Sequence, residues 1–200
     1  MNSNSKSKVA IAVVLAISLF ATGCSAQWIR VALADLPVLT QMALNIASLV
    51  ATLQSGKQIS PAEAAAIQNI STEASKDLNL LQALYNEYKA NPSANTIQQI
   101  ENVIGDVNQN LPSLLQAAHI SNPTLAARIT AGVNLILTTV SSFASLIPPA
   151  PPVPSTSQRT ARRNVAIPHA KDLKKEWNQQ VCAPTGNSAF DSAFALCALR

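Results

Sequence analysis

The chain has 200 residues, a formal net charge of +4, and 48% hydrophobic but only 4% aromatic residues. This length allows one domain, or one domain with a small appendage, and a charged fraction of 12% argues against disorder over most of the chain. Residues 148–200 carry seven cations and three acids, whereas residues 27–147 carry five cations and seven acids. The positive charge therefore belongs to the C-terminal part. Because residues 27–147 have no excess of positive charge and the sequence contains no recognisable nucleic-acid-binding motif, we do not expect nucleic acid as a partner.

The N-terminus has the organisation of a signal for export. Residues 1–8 are polar with two lysines, and residues 9–20 are apolar except for Ser18. A run of this length is too short for a membrane-spanning helix, which needs about 20 residues. The order of a basic stretch, an apolar stretch and small residues predicts a signal peptide over residues 1–23.

The residues that close this segment, Thr22-Gly23-Cys24, resemble the lipobox of bacterial lipoproteins, with Ala21 where Leu, Val or Ile is usual. The resemblance covers residues 1–25 only. It implies that the signal is removed before Cys24, that the thiol of Cys24 carries diacylglycerol, and that the mature protein is held at a membrane. Ser25, in the position after the cysteine, implies the outer membrane. The alternative is cleavage after Ala26 by the general signal peptidase, which would give a soluble exported protein.

Four segments between residues 28 and 147 place apolar residues at steps of three and four, the spacing of a buried seam on an α-helix. No segment alternates with the period of two that a half-buried strand needs. The predicted seams are Ala32, Leu36, Leu39, Ala43, Ile46, Val50 and Leu53; Ile67, Ile70, Ala74, Leu78, Leu81, Tyr85 and Tyr88; Ile97, Ile100, Ile104, Val107, Leu111, Leu114 and Ala118; and Leu125, Ile129, Val133, Ile136, Val140, Phe143 and Ile147.

Helix-start signals separate these segments by only a few residues. Ser60-Pro61-Ala62-Glu63 is a capping box with proline at the first helical position, Ser93 follows a proline break, and Asn122-Pro123 restarts the chain. Because short loops join antiparallel neighbours, residues 24–147 are predicted to form an up-down-up-down four-helix bundle in an all-α protein.

Two prolines fall inside the predicted helices. At Pro37 we expect a kink, or a short helix that ends before a new one capped by Asp35. At Pro112 we expect a kink near Leu111.

After the bundle, residues 148–168 form a proline-rich basic linker, for which an extended polyproline conformation is expected. This linker is interpreted as a stiff spacer; a ligand for a partner groove is the alternative. Residues 169–200 then predict a small helical hairpin. Its first helix carries Leu173, Trp177 and Val181 on one face, and its second carries Phe190, Phe194 and Cys197.

Three cysteines are present, and lipidation of Cys24 leaves one pair. In an exported protein, Cys182 and Cys197 are expected to form a disulfide across the hairpin. We expect this hairpin to depend on a tiny core of its own and to extend from the bundle as a basic contact arm.

The sequence offers no catalytic constellation. His119 and His169 lack companions at metal-ligand spacing, and neither a phosphate-binding glycine loop nor a nucleophile elbow is present. We therefore expect no enzyme activity, no metal and no cofactor.

These features favour a membrane-anchored envelope lipoprotein that acts as a helical scaffold or adaptor, with a protein partner at the C-terminal arm. Two alternatives stay open, a membrane-active protein and a carrier of an apolar ligand between the helices. Residues 31–53 and 125–147 contain one charge each and are long enough to span a bilayer, but polar residues within 31–53 favour an amphipathic bundle helix.

Overall fold

The computed structural model describes the backbone of residues 3–118, 120–147 and 169–200. Side chains are described from residue 29 onward within these ranges, except for 113–115 and 117–118. The fold is all-α, and the described residues contain no strand. The helices are α1 (Ser3–Ser55), α2 (Pro61–Ala90), α3 (Ala94–Ala118), α4 (Pro123–Leu146), α5 (Ala170–Gln180) and α6 (Ser188–Ala195).

The predicted start signals are confirmed. At α2 the Ser60 hydroxyl accepts from the Glu63 N–H while the Glu63 carboxylate accepts from the Ser60 N–H, which completes the capping box. Ser93 Oγ accepts from the N–H of Thr96 at α3, and Asn122 Oδ1 accepts from the N–H of Leu125 at α4. These short connections fold the chain back on itself three times.

Four helices close into the predicted bundle, with α1 against α2, α2 against α3, α3 against α4, and α4 against α1. All seam positions of α1 and α4 are buried, as are those of α2 except the half-buried Tyr88. On α3, Ile97 is half-buried and the seam from Ile100 to Leu111 is buried. Leu114 and Ala118 lie outside the described side chains. The heptad spacing therefore identified the core-facing side of each helix.

The expected helix restart at Pro37 is wrong. Helix α1 continues through Pro37, and α3 likewise continues through Pro112. A proline inside a helix removes one backbone hydrogen bond, a cost of about 3 kcal/mol that tertiary packing has to offset. Leu36 and Leu39 flank Pro37 and are fully buried, so packing of the seam holds the helix together at this point.

The expectation of a projecting C-terminal arm is also wrong. Helix α5 packs against both α1 and α4, and α6 packs against α1. The hairpin's apolar side chains belong to the same core as the bundle. The hairpin thus forms an additional layer over the junction between the first and last helices of the bundle, α1 and α4. The predicted linker, residues 148–168, lies outside the described residues.

The end of the bundle at which α1 enters the core is called the proximal end. Ile29, the first residue of α1 whose side chain the structure describes, is buried. Because α4 runs antiparallel to α1, its last residues lie at the proximal end too. Helix α5 begins beside Asp35, and its C-terminal residue Gln180 accepts a hydrogen bond from Arg128 near the start of α4. Helix α5 therefore runs from the proximal end toward the distal end.

Candidate functional site

The predicted lipidation site, Cys24, lies on α1, and its side chain is outside those described. It stands five residues before Ile29, which is buried in the core. At 1.5 Å per helical residue this separation is about 7.5 Å along the axis. A lipid on Cys24 would therefore have almost no intervening chain between it and the folded body.

The second predicted site is confirmed, since Cys182 and Cys197 form a disulfide. It joins two positions of the hairpin that each lie two residues beyond a helix, Cys182 after α5 and Cys197 after α6. The carbonyl of Cys197 accepts from Asn45 Nδ2 of α1 and from Trp177 Nε1, each at 2.9 Å. One member of the disulfide therefore supplies the carbonyl that links the C-terminal segment to both α1 and α5.

Trp177 is the largest fully buried side chain of the hairpin, and it packs on α4 rather than only within the hairpin. The indole lies against Gly132, where an added Cβ would stand 3.0 Å from Trp177 Cζ3. Absence of a side chain at Gly132 therefore creates the space for the ring. Arg128, one turn earlier on α4, donates to the Gln180 carbonyl at 2.8 Å and lies over the Phe194 ring.

An open cleft of about 550 Å³ separates α1 from the start of α5 at the proximal end. Arg30 on α1 and Lys171 on α5 lie on its two sides, together with His169, the N-cap residue of α5. All three side chains are exposed. Asp35, which is only 1% exposed, also lines this cleft.

The Asp35 carboxylate accepts a hydrogen bond from the N–H of Ala170, the first residue of α5. Its Oδ2 is buried and has no hydrogen-bond partner in the part of the chain that the structure describes. His169 makes no side-chain cap of its own, so Asp35 serves as the cap of α5 from another helix. Removal from water raises the pKa of Asp35 to about 6, although the charge of His169 and the hydrogen bond from Ala170 act in the opposite direction.

The sequence interpretation of Asp35 as a local cap for a new helix at Pro37 is therefore wrong. Asp35 instead caps a helix that begins 135 positions later in the chain. One signal could have suggested this, because Asp35 is the only charge in residues 31–53 and directly precedes a core position, Leu36. The identity of its partner could not be read from the sequence.

The pH dependence of stability should report the burial of Asp35. A folded-state pKa of about 6 against 3.8 for the free side chain means that the folded protein binds this proton more tightly than the unfolded chain does. Stability from this group should therefore rise as the pH falls through 6, and the gain should be complete below 3.8. Between pH 7 and 4 the free energy of unfolding of the wild type should rise by about 2 kcal/mol relative to Asp35→Asn.

Urea unfolding of the two proteins at several pH values measures this difference. Two curves that stay parallel across the range would show that Asp35 does not titrate differently in the folded and unfolded states.

The pKa of Glu63, at the distal end, is shifted in the opposite direction to that of Asp35. Its carboxylate accepts hydrogen bonds from Ser121, through both the hydroxyl and the backbone N–H, and from Ser60. The Ser121 hydroxyl, followed by the Ser60 hydroxyl, lowers the pKa of Glu63 to about 2. Glu63 thus caps α2 and also binds Ser121 in the connection between α3 and α4.

Among the described residues, no group of three or more His, Cys, Asp or Glu side chains is placed to hold a metal ion. His169 lies at the cleft, whereas His119 is outside the described residues. Two described segments, Ile29–Ser55 and Pro123–Leu146, are long and apolar enough to cross a membrane by length and composition alone. In the fold, the seams of both segments contribute to the core.

The fold and its sites define an all-α bundle covered on one side by a disulfide-closed helical hairpin. No protein family, curated protein or solved structure matches the chain.

Proposed function

We propose that this protein is a non-enzymatic lipoprotein of the bacterial cell envelope, in which Cys24 carries the membrane anchor and the helical body acts as a scaffold or adaptor. The observation that carries the proposal is the position of the lipobox-like cysteine, only five residues before the buried core residue Ile29. An anchor at this point would hold a rigid body directly against the bilayer. The resemblance at Ser25 favours the periplasmic side of the outer membrane.

The disulfide supports a location outside the cytoplasm. Cys182 and Cys197 form the bond, and disulfides persist in oxidising compartments such as the periplasm but are rare in the cytosol. This argument is independent of the lipobox, because it concerns the other end of the chain.

A scaffold role is supported by the way in which the hairpin is attached. Because the hairpin and the bundle share one core, a partner bound to the outer face of the hairpin would be held at a fixed distance from the membrane. On that face Leu196 is 75% exposed, and it lines open grooves together with Val38 and Leu53 of α1. We propose this face as the contact for an envelope protein.

The anchor is tested by replacing residues 1–26 with a conventional signal that the general signal peptidase removes. The exported chain then begins at Gln27, lacks Cys24 and keeps every described core side chain. Wild-type protein should remain in the membrane fraction after an alkaline wash, whereas the exchanged protein should be recovered in the soluble periplasmic fraction. A matched control, Cys182→Ser in the wild-type chain, removes another cysteine and should stay with the membrane.

The same fractionation separates the competing functions. A membrane-active protein whose apolar helices insert would stay in the membrane after the exchange, which would contradict the anchor. Wild-type protein that is already soluble would indicate cleavage after Ala26 and would contradict it as well.

A further inference from the structure

The cleft between α1 and the start of α5 combines two features that a phospholipid headgroup would complement. It is lined by the cations Arg30 and Lys171 and by Asp35, whose buried oxygen Oδ2 has no hydrogen-bond partner among the described residues. We infer that this cleft binds the headgroup of an ethanolamine phospholipid, with its phosphate between Arg30 and Lys171 and its ammonium at Asp35. The inference rests on the proposed function for its source of lipid, the membrane in which Cys24 would be anchored.

The location of the cleft suits such a ligand. Arg30 lies six residues after Cys24 on the same helix, a separation of about 9 Å along the axis. The polar region of each bilayer leaflet is roughly 5–7 Å thick. A chain held by a lipid at Cys24 would therefore place the backbone of Arg30 just outside that region, from where the long side chains of Arg30 and Lys171 could reach back to the headgroups.

The phosphate would find three sources of positive potential. Arg30 and Lys171 supply full charges from the two sides, and both side chains are exposed. Helix α5 begins between them, and the N-terminus of a helix carries a partial positive charge that attracts phosphate. The exposed His169 stands at the N-cap position and adds a donor.

The ammonium would supply a donor to the carboxylate oxygen that has no partner among the described residues. A buried acceptor without a donor is unfavourable, and burial of a charged one is more so. From the described residues, Asp35 accepts a hydrogen bond from the Ala170 N–H and is close enough to His169 to feel its charge, while its Oδ2 stays without a donor. A primary ammonium offers three N–H donors and a positive charge, whereas the trimethylammonium of a choline headgroup has the charge but no N–H. A glycerol headgroup has neither. The carboxylate therefore selects ethanolamine among headgroups that share the phosphate.

The test uses the full mature protein, purified from membranes in a nonionic detergent and labelled with ¹⁵N. Short-chain phosphatidylethanolamine, phosphatidylcholine and phosphatidylglycerol are titrated separately, and the backbone amide signals of Ala170 and Lys171 are followed. We expect ethanolamine lipid to bind about tenfold more tightly than choline lipid, the factor that corresponds to one hydrogen bond to a charged group. Equal affinities for these two lipids, tighter binding of the glycerol lipid, or no shift at either amide would each overturn the inference.

Three variants assign the two halves of the site. Asp35→Asn should abolish the preference for ethanolamine over choline, while the control Asp172→Asn, an exposed acid in the first turn of α5, should retain it. Lys171→Gln, at an exposed position that does not affect the core, should weaken binding of both lipids through loss of a phosphate contact. An unchanged affinity in Lys171→Gln would contradict the phosphate position, even if Asp35→Asn failed to fold.

This experiment separates the inference from the proposed function. Short-chain lipids are supplied from solution, so the titration does not depend on an anchor at Cys24. Protein without a lipid on Cys24 that still prefers ethanolamine would contradict the anchor alone, and lipidated protein without the preference would contradict the cleft alone.

Discussion

Replacing Trp177 by Ala should lower the free energy of unfolding by about 3–5 kcal/mol, the cost typical of truncating a large aromatic side chain in a core. The side chain is fully buried and lies on Gly132 of α4, and its Nε1 donates to the Cys197 carbonyl at 2.9 Å. Its loss would leave a cavity between hairpin and bundle and would remove one donor from that carbonyl. Urea unfolding followed by circular dichroism measures the change.

A second substitution at the same contact provides the matched control. In an ordinary helix interior, Gly→Ala is stabilising by about 1 kcal/mol. At Gly132 the new Cβ would stand 3.0 Å from Trp177 Cζ3, so Gly132→Ala should be neutral or destabilising in the wild type. In the Trp177→Ala background the same change should recover the gain of about 1 kcal/mol. Equal effects in both backgrounds would show that the ring does not rest on Gly132.

Loss of the disulfide has the second large expected effect. The bond spans 15 positions between Cys182 and Cys197, and a loop of this size is stabilised by about 3 kcal/mol in the chain-entropy model. The double variant Cys182→Ser/Cys197→Ser should therefore unfold at a free energy about 3 kcal/mol lower than the wild type. In the native fold the backbone carbonyl of Cys197 also accepts hydrogen bonds from Asn45 and Trp177.

Reductant supplies the control for this prediction. Added to the wild type, it should reproduce the loss seen in the double variant, and it should change nothing further in the variant itself. A wild type whose unfolding is insensitive to reductant would contradict a stabilising role of the bond.

Regular spacing explains why the bundle could be predicted from the sequence. Each seam repeats within one helix, and the caps at Ser60 and Asn122 act on neighbouring residues, so both signals are local. Steps of three and four identified buried positions such as Leu36 and Phe143 without reference to the rest of the chain. The disulfide was predictable for a similar reason, since only one cysteine pair remained.

The attachment of the hairpin could not be predicted in this way. Gly132 and Trp177 are 45 positions apart in the sequence but in contact in the fold. A glycine within a helix carries no sequence signal that identifies the aromatic ring packed on it. Asp35 was assigned to the nearest helix start because a cap is ordinarily local, whereas its partner Ala170 comes from a distant helix. The proximal cleft depends on that contact, so its composition became visible only in the fold.

Anchoring through Cys24 is tested most directly by the intact mass of the mature protein purified from the membrane. The predicted protein begins at Cys24, lacks residues 1–23 and carries the added mass of a diacylglyceryl group on its first residue. Digestion should place that added mass on the peptide that contains Cys24. A mature chain that begins at Gln27, or one that retains residues 1–23 without an added lipid mass, would contradict the anchor.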